Sequence, residues 1–163
     1  MLDVGCGTGL CFGGLLDAVG PTGEIVGIDA SPEMTALAAE RARAQGWDNV
    51  TILPASAADA SVDGCADAAL FCAAHDVLQS PAALANVVDH LRPGAWVAAG
   101  GGKFAQPWLV AVNMQVRALH QPYVSSFAGF ERPWTHLEQF VTNLRVEEFA
   151  FGTGYCAIGQ VPG

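Results

Sequence analysis

The chain has 163 residues, 52% of them apolar, and sets seven basic against sixteen acidic side chains for a formal charge of −9. That length suits a single domain with a sizeable core. The charge repels phosphate backbones and anionic membrane surfaces, which argues against nucleic acid or a membrane as partner, and no apolar run reaches the length of a membrane span.

In chain order, Met1 to Val4 reads as a short apolar strand that runs into Asp3-Val4-Gly5-Cys6-Gly7-Thr8-Gly9. Glycine lacks Cβ, so this stretch permits a sharp turn and close approach of a ligand to the backbone. A helix from about Leu10 to Ala18 follows, closed by Gly20-Pro21-Thr22-Gly23. Its N-terminus offers free N–H groups and a positive dipole end, suited to a nucleotide-like ligand. Strand two, Ile25 to Ile28, leads into Asp29, and an acid at that position accepts hydrogen bonds from ribose hydroxyls in nucleotide-binding α/β folds. Ser31 and Pro32 read as N-cap and first helical residue, with Glu33 in the first turn and Gly46 as the stop after Gln45.

Strand three is expected at Val50 to Leu53 and strand four at Ala68 to Cys72. A helix over Pro81 to Leu91 stops at Pro93-Gly94, ahead of strand five at Ala95 to Ala99. Helices over Pro107 to Leu119 and Trp134 to Val141 come next. Two last strands, Arg145 to Phe151 and Tyr155 to Gln160, flank a turn short enough for an antiparallel hairpin. The alternation of apolar strands with helices predicts an α/β domain with a parallel sheet. The five cysteines, Cys6, Cys11, Cys65, Cys72 and Cys156, are odd in number and form no C-x-x-C pair. They are expected to be buried free thiols in a reducing cytoplasm.

The third glycine of the loop is Gly9, followed by Leu10, which departs from the G-x-G-x-x-G spacing of dinucleotide sites. Leu2 to Gly9 instead resembles the first motif of the class I S-adenosylmethionine (SAM)-dependent methyltransferases. Val26 to Met34, "VGIDASPEM", is similar to their second motif, and Leu91 to Ala98, "LRPGAWVA", to the turn before their fifth strand. The resemblance covers nearly the whole chain. It implies a Rossmann-like three-layer sandwich whose seven-stranded, mostly parallel sheet has the order 3-2-1-4-5-7-6. "HDVLQSPAALANVVDHLRPG" and "PWTHLEQF" are similar to actinobacterial small-molecule members. Family members usually carry helices before the first strand, whereas this chain begins inside that strand, so the cleft is expected to be open at one end.

The resemblance implies SAM as cofactor. Asp3 would face the amino group, directly or through water. Gly5, Gly7 and Gly9, with Cys6 and Thr8 between them, would line the methionine part. Asp29 would take the ribose hydroxyls, and Ala30 and Met34 would border the adenine. The family's acid after strand three is replaced here by Ser56, beside Ala57, with Asp59 as the alternative if the loop shifts register.

Methyl transfer needs orientation above all and a base only where the acceptor must lose a proton. His75, after strand four, is the best base candidate, because an imidazole titrates near neutrality. Asp76 either orients it or caps a helix, and packing or capping is an open alternative for both. No third ligand stands near them at suitable spacing, so no metal is expected. The aromatic-rich stretch from Lys103 to Trp134 suits a flat or greasy small acceptor, a homodimer contact or ordinary core packing. The sequence therefore points to a methyltransferase acting on a small hydrophobic or aromatic metabolite. The alternative is a SAM-binding protein that transfers no methyl group. A homodimer or a partner chain is expected to cover the open N-terminal side around Leu2, Phe12 and the aromatics of 104–134.

Overall fold

The computed structural model describes residues 1–163. Strand β1 is Leu2–Val4, all three residues buried, and it lies parallel between β2 (Ile25–Asp29) and β4 (Ala66–Cys72). β3 (Val50–Pro54) extends the sheet beyond β2, and β5 (Leu91–Gly102) extends it beyond β4. The last strands, β6 (Thr142–Phe149) and β7 (Gly154–Gln160), pair antiparallel, with β7 against β5. The sheet order is thus β3-β2-β1-β4-β5-β7-β6, as expected. Connections leave β1 in opposite directions, so a crevice opens beyond the C-terminal ends of β1 and β4, where ligands bind in such sheets.

Two helices cover one face over β3 to β4: α1 (Phe12–Val19) and α2 (Pro32–Gln45). Phe12 is wholly buried there with Leu15, Ile25 and Ala38. α2 carries its predicted punctuation: Ser31 Oγ accepts from the Met34 N–H at 3.3 Å, Pro32 opens the helix, and Gly46 closes it with φ +68°. On the other face, α3 (His75–Leu78) and α4 (Pro81–Asp89) pack with Trp134, Leu137 and Val141 against Phe71, Val97, Ala99 and Tyr155. The first layer ends at β4. Beyond it Trp96 and Ile158 project from β5 and β7 with 52% and 40% of their surface exposed.

Several boundaries differ from the sequence reading. The first helix begins at Phe12 rather than Leu10, because Leu10 and Cys11 still belong to the glycine turn. α4 stops at Asp89, since the His90 carbonyl accepts from the Ala66 N–H and Leu91 has already entered β5. β5 runs on to Gly102 because its antiparallel pairing with β7 continues that far. Helix α5 is Val110–His120, not Pro107 to Leu119. The Asn113 side chain bonds both the N–H and the carbonyl of Ala105, holding the preceding stretch as a turn. The helix expected at Trp134 to Val141 shrinks to a single 3-10 turn, Leu137–Gln139, because Trp134, Leu137 and Val141 are all drawn into the core. β6 ends at Phe149 rather than Phe151, as Ala150 and Phe151 take left-handed φ of +50° and +57°.

Two further expectations are corrected. Cys65, Cys72 and Cys156 are exposed, not buried, and none of the five thiols is in a disulfide. Leu2 and Phe12 are already enclosed within this chain, Leu2 in the core on the α3 and α4 face of the sheet and Phe12 in the core beneath α1 and α2. No helix is long and apolar enough to cross a membrane.

Candidate active site

The loop from Gly5 to Gly9 carries positive φ at each of its three glycines, for different reasons. At Gly5 a Cβ would lie 2.8 Å from Ala74 Cβ, so the glycine lets the segment after β4 close on the loop. At Gly9 it would lie 2.5 Å from the buried Phe12 ring. At Gly7 nothing stands within 4 Å, and the space beside it is free for a ligand. The loop is strapped to β2. Gly5 and Cys6 donate their N–H groups to the Ile28 carbonyl at 2.8 and 3.0 Å, and Gly7 N–H donates to Asp29 Oδ2 at 2.9 Å. Asp29 Oδ1 accepts from Ser31 N–H at 2.9 Å. Arg41 braces the loop by donating to the Thr8 carbonyl.

A cleft of about 520 Å³ opens above these strand ends. Its wall brings together Gly5, Asp29, Ala30, Ser56, Ala57, His75 and Asp76. Asp3, Cys6, Gly7, Thr8, Gly9 and Met34 are not on that wall. The Cys6 side chain turns into the α1 core, where burial, with Asp3 and Asp29 nearby, pushes its thiol up to about 12. Met34 sits on the exposed first turn of α2. Ser56 Oγ accepts from Ala58 N–H at 3.1 Å, while Asn86 donates to the Ala57 and Ala60 carbonyls and fixes the loop after β3.

Asp3 is the electrostatic anomaly. It is 1% exposed, and neither carboxylate oxygen has a hydrogen-bond partner. Burial first, and Asp29 second, raise it from 3.8 to about 6. A buried carboxylate without a partner is a debt unless a cation or donor arrives to meet it.

A second cavity of about 220 Å³ adjoins the cleft and shares Ala73, Ala74, His75 and Tyr123 with it. His75 is the hinge between the two. Its Nε2 lies 3.1 Å from the Ala128 carbonyl, which can only accept, so Nε2 carries the proton. Nδ1 is left buried, with a free lone pair. Burial lowers the His75 pKa against the opposing pull of the Ala128 carbonyl and Asp76, which favours the neutral ring. Asp76 makes no hydrogen bond to His75. Its carboxylate accepts from Ser125 N–H at 2.9 Å and Ser125 Oγ at 2.6 Å, tying the 123–130 segment over the site. The structure gathers no group of three His, Cys, Asp or Glu that could hold a metal.

Sequence reasoning did not assign Tyr155, Gly101 or Gly102 to the site, whereas His120 and Tyr123 belong to the 103–134 stretch expected to face the acceptor. The run Gly100-Gly101-Gly102 at a strand's C-terminal end was the available signal, since three glycines there allow close approach. A Cβ on Gly101 would meet Ala73 Cα at 3.3 Å, and one on Gly102 would collide with His120 Nε2.

The profile of the methyltransferase domain family matches residues 1–94. The chain belongs to that family. It is 36% identical over 104 residues to an uncharacterized 37.1 kDa protein in transposon TN4556 of Streptomyces fradiae, across 61% of this chain and 29% of that protein. A demethylmenaquinone methyltransferase of Anoxybacillus flavithermus is 39% identical over 56 residues, across 34% of this chain and 24% of its own length. The matches thus span less than a third of either relative. Among solved structures, the N-methyltransferase NodS from Bradyrhizobium japonicum superposes with a TM-score of 0.69 at 19% identity, covering 99% of this chain and 85% of that one. A SAM-dependent methyltransferase from Aquifex aeolicus gives 0.70 at 21% identity, covering 98% and 80%. NodS in complex with S-adenosyl-L-homocysteine gives 0.68 at 18% identity, covering 99% and 77%. At these identities the likeness speaks for the fold.

Proposed function

We propose that the chain is a SAM-dependent methyltransferase whose acceptor is a small hydrophobic or aromatic metabolite. The observation that carries this reading is Asp3, a buried carboxylate with no partner behind a glycine loop. It fits the ammonium of the methionine moiety, reached directly or through a water. Asp29 spends one acceptor site per oxygen on Gly7 and Ser31 and keeps the others for ribose hydroxyls. Ala30, Ser56 and Ala57 border the space left for the adenine. The cofactor supplies a methyl group on a sulfonium sulfur and leaves as a neutral thioether. The chain's own contribution is orientation, exclusion of water and a neutral imidazole whose Nδ1 takes the acceptor's proton.

The cavity beyond His75 favours a transferring enzyme over a SAM-binding protein that transfers nothing, because such a protein needs no second chamber. The likeness of His75–Gly94 and Pro133–Phe140 to actinobacterial small-molecule members supports a small acceptor. Free thiols suit a reducing cytoplasm. Exposed apolar side chains around α5 support a homodimer.

Calorimetry with S-adenosylhomocysteine tests the cofactor site, and methyl transfer to a metabolite panel tests the reaction. His75→Phe is expected to lose transfer by at least 100-fold, in line with a general base, while keeping its affinity for S-adenosylhomocysteine. The acid limb of the wild-type rate should fall below the ordinary imidazole value, since burial lowers the His75 pKa. Failure to bind S-adenosylhomocysteine would end the proposal.

A further inference from the structure

The thiols of Cys11 and Cys72 stand side by side at the C-terminal rim of the sheet. Strand register explains the meeting. Asp3 of β1 is paired with Leu70 of β4, so their side chains share a face, and Leu70 packs against the core under α1. Cys72 is two residues further on, so it projects from the same face, nearer the strand ends. Cys11 precedes α1 as its N-cap residue and packs against the same core. The fold thus sets Cys11 down beside Cys72, with Asp3 close enough to oppose ionisation of Cys11.

The two thiols are unequal. Cys72 is exposed, because the helical layer on that face ends at β4 and its neighbour on β5 is Gly100, which has no side chain to cover it. Cys11 is half-buried. Burial first, then Asp3 and Cys72, push its thiol up to about 12, so it stays protonated. Cys72 is therefore the thiol that an oxidant reaches, and Cys11 is the one placed to answer it. The other three are poorly placed to compete. Cys156 lies in line with Cys72 but beyond Gly100, two strand spacings or about 9.5 Å away, too far for a disulfide. Cys65 precedes β4 at its opposite end. Cys6 is buried, with its thiol directed at the Gly7 carbonyl 3.8 Å away.

We propose that Cys11 and Cys72 form a peroxide-sensitive thiol pair whose disulfide shuts the methionine end of the cofactor site. The closing effect rests on the reading of Asp3 as partner of the cofactor's ammonium. Peroxide gives one oxygen to Cys72 Sγ: the O–O bond breaks, an S–O bond forms, and a sulfenic acid and one water result. Cys11 Sγ then attacks Cys72 Sγ. The S–S bond forms, the S–O bond breaks, and the departing hydroxide takes the Cys11 proton as a second water. The two thiols together lose two electrons, and one peroxide is reduced. The bond draws the start of α1 onto the end of β4, to a sulfur separation of about 2.05 Å. It crosses the rim beside Asp3 and so closes the approach to that carboxylate. A thiol reductant reverses it by exchange.

Reduced protein is treated with hydrogen peroxide, with and without saturating S-adenosylhomocysteine, and digested under non-reducing conditions for mass spectrometry. A Cys11–Cys72 linkage within one chain is expected, formed more slowly when S-adenosylhomocysteine is bound. Calorimetry on the oxidised protein should show S-adenosylhomocysteine bound about tenfold more weakly or worse, the loss of a charge-assisted hydrogen bond, with full affinity restored by dithiothreitol. Cys72→Ser should bind like the reduced wild type and keep that affinity after peroxide, whereas Cys65→Ser should lose it as the wild type does. Should Cys72→Ser fail to fold, the linkage map and the two affinities of the wild type decide. A bond between Cys6 and Cys11, a bond between two chains, or a Cys72 that runs on to sulfinic acid overturns the thiol pair. A Cys11–Cys72 bond that leaves S-adenosylhomocysteine affinity unchanged overturns its closing effect. Reduced protein that forms the bond but binds no S-adenosylhomocysteine refutes the cofactor reading and not the pair.

Discussion

Asp3 shows how one residue can serve function against stability. In the unfolded chain it loses its proton near 3.8, whereas in the folded protein it holds it to about 6. Between those values the folded state binds more protons than the unfolded one, so stability falls as pH rises through the window and stays lower above it. The gap corresponds to about 3 kcal/mol. Asp3→Asn removes the titrating group. Thermal unfolding of the cofactor-free variant from pH 4 to 7.5 should therefore lack the decline seen in the wild type and show higher stability at pH 7. The same variant should bind S-adenosylhomocysteine at least tenfold more weakly, because an ammonium prefers a carboxylate to an amide. Parallel unfolding curves for the two proteins, or equal affinities, would show that Asp3 has a partner in solution already. For the wild type, affinity should rise with pH through about 6 as the carboxylate ionises.

At the scale of elements, the glycine loop separates binding from folding within five residues. Gly9→Ala would combine a left-handed backbone, φ +73°, with a Cβ 2.5 Å from the ring of Phe12, which is fully enclosed and has nowhere to go. Strain of ~1–2 kcal/mol and overpacking of ~1–3 kcal/mol should together lower its melting temperature sharply. Gly7 faces open space, so Gly7→Val meets only the backbone strain. It should keep the wild-type circular-dichroism spectrum and lose cofactor binding. A Gly7 variant that binds normally would place the ligand elsewhere. The N-terminal half was legible in the sequence because its signals are local: a strand ending in glycines, the acid Asp29, Ser31 and Pro32 before α2, Gly46 after it. The C-terminal half was less so, since its limits are set by distant partners. Asn113 reaches back to Ala105, Trp134 and Leu137 are pulled into the core, and Ala150 and Phe151 adopt left-handed φ without a glycine to announce it. The site divides the same way. The glycine loop and Asp29 could be read from spacing. The second cavity could not, because His75, Gly102, His120 and Phe130 meet only through the fold.

For the whole molecule the decisive feature is unequal cover. The bare half of the sheet shows Trp96 and Ile158, and the flank around α5 shows Trp108, Met114, Leu119 and Tyr123, the last 80% exposed. Leu119 and Tyr123 also line the 220 Å³ cavity, so whatever covers that flank also shuts the cavity from water. Apolar patches of this kind are uncommon on monomers, and a two-fold contact is the commonest way to bury them. We therefore expect a homodimer built on the α5 flank, with light scattering at micromolar concentration giving a mass near twice 16.9 kDa. The charge of −9 per chain makes two copies repel, so association should tighten as salt rises from low ionic strength. Met114→Glu should return the protein to a monomer and reduce methyl transfer, whereas Trp96→Glu, on the bare sheet face, should leave both unchanged. A wild-type monomer that transfers methyl groups at full rate would show that the 123–130 segment closes the cavity unaided. Loss of the dimer in Trp96→Glu but not in Met114→Glu would move the contact to the sheet.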